Sequence, residues 1–319
     1  MKLSLSTNWC NRRMETGEEI VDKALELGID ELELGFHTTE LQAKGFKARL
    51  DEMPVGSIHA FCPVPLSAPY GHPELYTLAT PDDNTRELAK FHILKNIRFA
   101  AEIGAKTVVH HAGRIAFGSF FSRNFGSGTL RVLRESSKDG VKSPAYLKAL
   151  EKAKLTRRKN GEKAMPAFLK ALEGIVPELE KTGVTLALEN LPYLEGFPDE
   201  CEMAEVAKRF AGSGVKAWFD TGHHRVRECH GWLSAEGLPD VATVAGMHLN
   251  DVKDFDDDHL PPGEGNVDFA ALKDMAHAVG HVVVEPNHSV PEEALRRGIA
   301  LIRRLYSHSM VAGGLEEMS

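Results

Sequence analysis

Short apolar runs alternate with amphipathic stretches along the whole chain, eight times over, and this alternation limits the fold more than any other feature. The runs with strand character are KLSLS (2–6), DELELG (30–35), PVGSIHA (54–60) and KTVVHHA (106–112), then VTLALEN (184–190), VKAWFDT (215–221), VAGMHLN (244–250) and HVVVEPN (281–287). Between them lie segments with the apolar period of helices. Several close on a glycine (Gly28, Gly104, Gly183, Gly280), the residue best suited to a left-handed C-terminal cap. Eight strand-then-helix units predict eight parallel strands, and these close into a (β/α)8 barrel. An open doubly wound sheet is the competing layout, but no GxGxxG follows the first strand.

No Pro/Ser-rich linker divides the 319 residues, so a single barrel domain over 1–319 is expected. One unit is oversized. Residues 114–163 form an insertion after strand four that opens IAFGSFFSRNFGSG and continues into the polar helical pattern SPAYLKALEKAKLTRRKNGEK. It holds 13 Lys and Arg against 4 Asp and Glu, which leaves the rest of the chain strongly acidic. An enlarged loop on the active-site side of a barrel is expected to act as a lid, or else to present a solvated helix face or an oligomer contact. The sequence leaves homo-oligomerisation open.

A formal net charge of −8 disfavours a duplex nucleic-acid partner, whose binding is dominated by phosphate neutralisation. The four cysteines (Cys10, Cys62, Cys201, Cys229) are widely spaced with no CxxC, and read as free thiols of a reducing compartment. The N-terminal MKLSLSTNWCNRR lacks an apolar signal core, and no run approaches membrane-spanning length. A cytoplasmic enzyme with no membrane partner is expected.

In a (β/α)8 barrel the catalytic side chains stand at the C-terminal ends of the strands. The candidates fall there: His59 after strand three, His110 after four, Glu189 after five, Asp220 after six, His248 on seven and Glu285 after eight. Carboxylates and imidazoles are ligands of divalent cations such as zinc, manganese or magnesium. Three carboxylates at one mouth repel one another unless a cation sits among them. Glu189, Asp220, His248 and Glu285 are therefore expected to form one first shell. His223, three residues after Asp220, either ligates a second ion or binds a substrate oxygen. His59 and His110 end neighbouring strands and can meet near Glu189. Asp257 and His259 lie just before PPGEG, in the loop after His248. His111, His224, Asn250 and Asp251 are candidates for orienting the ligands, and Glu33 faces either the mouth or the core. Trp9, Phe36 and Phe61 follow strand ends as candidates for an apolar wall against substrate. Arg114, Arg123, Arg157 and Arg158 are candidate phosphate contacts from the insertion. Nucleophilic-elbow and phosphate-loop motifs are absent from the sequence.

The segments LALEN, FDTGH, HLND, HLPPGEGNVDF and VVEPN resemble those of the xylose-isomerase-like barrel superfamily, and the resemblance covers essentially the whole chain. That group holds sugar and sugar-phosphate isomerases and epimerases together with the abasic-site nucleases of the endonuclease IV and AP endonuclease family 2 type. For the isomerase and epimerase branch, the resemblance implies one Mn2+ or Zn2+ ion on Glu189, Asp220, His248 and Glu285. Glu189 and Glu285 then serve as the acid–base pair, working through a cis-enediolate, and His223 holds a substrate hydroxyl. His259 stands where that branch often has an arginine, and so becomes a substrate contact. For the nuclease branch it implies up to three zinc ions, the second on His59, His110 and Glu189 and the third on His223, Asp257 and His259. The acidic balance and GFHTTE after strand two, in place of a basic aromatic loop, favour a small-molecule sugar or sugar-phosphate substrate over DNA. A metal-dependent isomerase or epimerase is the first expectation, and a multi-zinc phosphoester hydrolase the alternative.

Overall fold

The computed structural model describes residues 1–117, 128–138, 140–253, 255–256 and 259–307. Eight parallel strands close into a barrel in sequence order. They are β1 (Lys2–Ser6), β2 (Glu31–Leu34), β3 (Val55–His59), β4 (Thr107–His110), β5 (Thr185–Glu189), β6 (Val215–Asp220), β7 (Val244–Leu249) and β8 (His281–Val284). The seam joins β1 to β8, with Leu3 beside Val282 and Leu5 beside Val284.

The strand sequences alternate between two cores. Leu3, Leu5, Leu32, Leu34, Ile58, Val108, Leu186, Leu188, Phe219, Met247, Val282 and Val284 point outward into the shell beneath the helices. Val109, Ala187, Trp218 and Val283 point inward and fill the barrel axis. The period-two alternation of strand side chains makes this division, with the polar inward positions left for the mouth.

The helices begin and end where local chemistry dictates. Helix α1 (Gly17–Glu26) opens on a capping box between Thr16 and Glu19, and α2 (Glu40–Ala48) on one between Thr39 and Gln42. After the long α3 (Asp83–Glu102) comes the enlarged unit, made of α4 (Gly128–Ser137) and the 30-residue α5 (Pro144–Glu173). The polar helical pattern of the insertion is thus continuous with the helix that packs on the barrel. Its C-terminal half contributes Phe168, Leu169 and Leu172 to the main core. Tyr146, Leu150 and Ala153 of its N-terminal half form a separate small core with Leu130, Leu133 and Leu194. Arg157 is buried on α5, where it pairs with Glu202 at 2.6 Å and donates to the Gly196 carbonyl at 2.6 Å. It anchors α5 to the loop after β5 and takes no place at the mouth. Arg158 is exposed and pairs with Glu162, and Arg123 lies outside the described residues.

The remaining helices are α6 (Val176–Thr182), α7 (Glu200–Arg209), α8 (Thr221–His230), α9 (Lys273–Val279) and α10 (Glu292–Tyr306). Among the described residues no helix is long and apolar enough to cross a membrane.

Candidate metal centre

The end of β5 supplies the hub. Glu189 points inward because Leu186 and Leu188 point outward, and its side chain is fully buried. One oxygen, Oε1, lies 3.0 Å from His248 Nδ1; the other, Oε2, lies 3.1 Å from His59 Nε2 and 3.0 Å from His111 Nε2. His248 Nδ1 also approaches Glu285 Oε2 at 3.1 Å and Asp220 Oδ2 at 3.7 Å. Donor atoms of Glu189, Asp220, His248 and Glu285 all lie within 4.8 Å of one another, as do those of His59, His111 and Glu189. The two groups share Glu189.

A further pair flanks them. His223 Nε2 and His259 Nε2 are 3.3 Å apart, and each ring is fixed at its other nitrogen. His223 Nδ1 meets the Asn190 carbonyl at 2.8 Å, and His259 Nδ1 meets that of Glu285 at 3.1 Å. His259 adopts a left-handed backbone with φ of 44°, unusual for a residue with a side chain. Asp257 lies outside the described residues.

The main correction to the sequence reading is at β4. His110 ends that strand, but Val109 faces the axis, so His110 faces outward and pairs in register with the outward Leu188. Its ring packs edge-on against Phe61 with centroids 5.6 Å apart, and burial pushes its pKa down to about 3. The next residue, His111, turns inward to Glu189. Two other expectations fail on burial. Trp9 packs in the core with its indole donating to the Val290 carbonyl at 2.9 Å. Phe61 is fully buried between His110 and Tyr76. Phe36, beside His59 with centroids 5.2 Å apart, is the aromatic residue of the first two strand ends that lines the mouth. His224 packs against Phe219 and lines a separate cavity between β6 and α7.

His248, Asp220, Glu285 and His59 are each held by a further residue. Glu33, on the inward face of β2, accepts from His248 Nε2 at 2.9 Å and from Ser57 Oγ at 2.8 Å. With one proton fixed on Nε2, His248 turns Nδ1 to the cluster, where loss of its proton would free a lone pair for an ion. Asn250 Nδ2 donates to Asp220 Oδ2 at 2.5 Å, and Asn190 bonds both the N–H and the carbonyl of Asp220. Ser6 and Asn8 donate to Glu285 Oε1 at 3.3 and 3.2 Å. His59 Nδ1 bonds the Ala60 carbonyl, which turns Nε2 to Glu189. Asp251 does other work: it accepts backbone N–H bonds from Val252, Gly263, Gly265 and Val267, and so staples the GEGNV loop beneath His259. The Glu33→Gln variant is expected to weaken metal binding by about 10- to 100-fold, measured by competition with a chromogenic chelator. Unchanged affinity would show that Glu33 does not orient His248.

The electrostatics are those of a cation site. Burial favours the neutral acid at Glu189, but His248 and His111 outweigh it and hold its carboxyl well below the usual range. Burial likewise opposes the charged imidazole at His248, yet Glu285, Glu33 and Glu189 outweigh it and hold its pKa well above the ordinary value. Burial and the charge of Glu189 push Asp220 up to about 6. Protons here do the neutralising that a divalent ion does better, and the donor set of carboxylate oxygens with imidazole nitrogen fits such an ion.

A cavity of about 400 Å3 opens above the cluster, lined by His59, His111, His223, His259 and Glu285 with Asn8, Phe36 and Tyr193. On the β4 side Arg114 is neutralised by Glu74, with Nε at 3.0 Å, and its guanidinium lies 3.5 Å from the centre of the Tyr193 ring.

A closed parallel barrel carrying buried carboxylates and imidazoles at its C-terminal mouth defines a (β/α)8 protein with a candidate metal centre. The chain belongs to the xylose isomerase-like TIM barrel family, whose model matches residues 21–305. A comparison with curated protein sequences gives no match. Among solved structures, it is similar to a D-tagatose 3-epimerase-like protein at 19% identity and TM-score 0.64, over 96% of this chain and 97% of that one. It is similar to the 3-keto-D-glucoside 4-epimerase of E. coli at 17% and 0.63, over 95% and 99%. A third is the TTHB071 protein of Thermus thermophilus, soaked with ZnCl2, at 20% and 0.57, over 96% and 98%. At these identities the likeness concerns the fold.

Proposed function

We propose that the protein is a divalent-metal-dependent isomerase or epimerase of a sugar or sugar phosphate. The observation that carries this reading is the pairing of Glu189 and Glu285. The two carboxylates come from different strands, each within 3.1 Å of His248 Nδ1, and Glu285 opens onto the mouth cavity. Bound on Glu189, Asp220, His248 and Glu285, a Mn2+ or Zn2+ ion supplies Lewis-acid polarisation of substrate oxygens, worth several kcal/mol. One glutamate takes the proton α to the carbonyl and the other delivers a proton to the resulting carbanion equivalent. Ser6 and Asn8 fix the orientation of Glu285 for that transfer. His223 and His259, with Nε2 atoms converging at the cavity wall, hold a substrate hydroxyl. Phe36 offers an apolar face to the sugar carbons. The epimerase names of two structural neighbours support a carbohydrate substrate.

A second reading rests on a specific observation, the sharing of Glu189 between two ligand groups. With His59 and His111 it can hold a second ion, and a multinuclear site suits phosphoester hydrolysis. Metal stoichiometry by mass spectrometry, on protein stripped with chelator and reloaded, separates the two. One tightly held ion that restores sugar turnover is the expected result. Two or three zinc ions, with turnover of phosphoesters alone, would overturn the isomerase reading.

A further inference from the structure

One quadrant of the mouth has a different chemistry from the rest. Arg12 follows β1, His37 follows β2, His72 lies in the loop after β3, and His288 follows β8. Taken around the barrel these are consecutive strands, and all four side chains line the mouth cavity. Arg12 Nη2 donates to His37 Nε2 at 3.0 Å, so the ring accepts there and carries its own N–H on Nδ1. Burial, with the nearby Arg12, His288 and His72, pushes His37 down to about 4, which keeps it neutral and a donor at physiological pH.

Among the described residues the quadrant has a cation but no anion of its own. The carboxylates lining the cavity, among the described residues, are Glu285, which belongs to the cluster below, and Glu74, which neutralises Arg114 on the far side. Among the described residues Arg12 has no carboxylate partner, in contrast to Arg114 in the same cavity. A guanidinium braced by a neutral imidazole, with two more imidazoles beside it, is a donor array for a tetrahedral oxyanion. Phe36 leads from this quadrant down to the cluster, with ring centroids 4.6 Å from His37 and 5.2 Å from His59.

We infer that the Arg12, His37, His72 and His288 quadrant receives the phosphomonoester group of the substrate, so that the protein acts on a sugar phosphate. Within the isomerase reading, on which this assignment rests, Arg12 and the Nδ1–H of His37 bind phosphate oxygens while the carbonyl end of the sugar reaches Glu189 and Glu285. Arg114, paired with Glu74, takes no part in that contact.

The test needs no turnover, so its failure is separable from failure of the isomerase reading. Binding of inorganic phosphate is measured by calorimetry at fixed ionic strength, on the metal-loaded protein and again after chelation, with acetate as the carboxylate control. Phosphate is expected to bind in both states and more tightly than acetate. Arg12→Gln should weaken it about 10-fold or more in both states, while Arg158→Gln on exposed α5 leaves it as in the wild type. Arg12→Lys should restore part of the affinity. Thermal melts identify any variant that fails to fold, and Arg12→Lys then carries the comparison. The inference is overturned by phosphate affinity that Arg12→Gln does not change, by binding that vanishes on chelation, or by acetate binding as tightly as phosphate.

Discussion

Replacing Glu189 or Glu285 by glutamine is expected to lower kcat by at least about 10^3-fold at saturating metal. General acid–base catalysis alone accounts for about 10^2- to 10^4-fold, and each glutamate is also placed to hold the ion. The substitution keeps the shape of the side chain and removes its charge and basicity. At Glu189 the loss is compounded, because one carboxylate faces His59, His111 and His248 at 3.0–3.1 Å. Its glutamine variant should lose metal as well as turnover. At Glu285 the Ser6 and Asn8 donors still orient the substituted side chain, so metal binding should weaken less than turnover. Steady-state kinetics at several metal concentrations distinguish the two effects, and full activity in either variant would remove the acid–base assignment.

Chelation is expected to have the second large effect, on stability. An ion that binds the folded chain alone adds about 4 kcal/mol when present a thousand-fold above its Kd. In a protein of this size that corresponds to roughly 6 °C in Tm. The pH dependence should differ between the two forms. In metal-free protein the Asp220 pKa is raised to about 6, so the fold is penalised above that pH and relieved as pH falls towards the unfolded value. The His248 pKa is raised too, so its stabilising contribution is present at low pH and lost as pH rises through the folded value. Glu189, held low, loses its stabilising charge only below the ordinary carboxylate range. From pH 8 to about 5.5, therefore, Asp220 and His248 stabilise the metal-free protein as pH falls, the depressed pKa values of His110 and His37 oppose this in both forms, and the contribution of Glu189 stays constant, so Tm without metal should rise relative to Tm with it. With metal the same protons compete with the ion for its ligands, and Tm should fall. Differential scanning fluorimetry with and without chelator reads both slopes, and equal slopes would show that no cation occupies the cluster.

The barrel is legible because the strands carry a period of two and many of the helices between them open on a capping side chain or close on a left-handed glycine. Glu189, Asp220, His248 and Glu285 were legible for the same reason, each following an alternating run whose outward residues are aliphatic or aromatic. At β4 the last strand residue, His110, and the inward face are not the same position. In TVVHH the alternation puts Val109 inward and therefore His110 outward, a signal present in the sequence and outweighed by the position of His110 as the last strand residue. Trp9 and Phe61 follow strands in the sequence, but their side chains turn into the core, while Asn8 and Arg12 after β1 and His72 after β3 reach the cavity. Glu33 could not be separated from a core ion pair, because its partner His248 lies 215 residues away. The arginines of the insertion stand out by local charge density, whereas among the described residues the mouth arginine without a carboxylate is Arg12, in a segment with no charge excess to mark it.

The most direct measurement is hydrogen exchange into substrate. Metal-loaded protein in D2O is incubated with pentuloses and ketohexoses, with and without phosphate, and the recovered sugars are analysed by NMR. Because two different carboxylates take and return the proton, deuterium should enter at the carbon α to the carbonyl. The exchange should require metal and disappear in the Glu189→Gln and Glu285→Gln variants. No exchange with any ketose, together with phosphate release from a phosphoester by the same metal-loaded protein, would contradict the proposed isomerase or epimerase function.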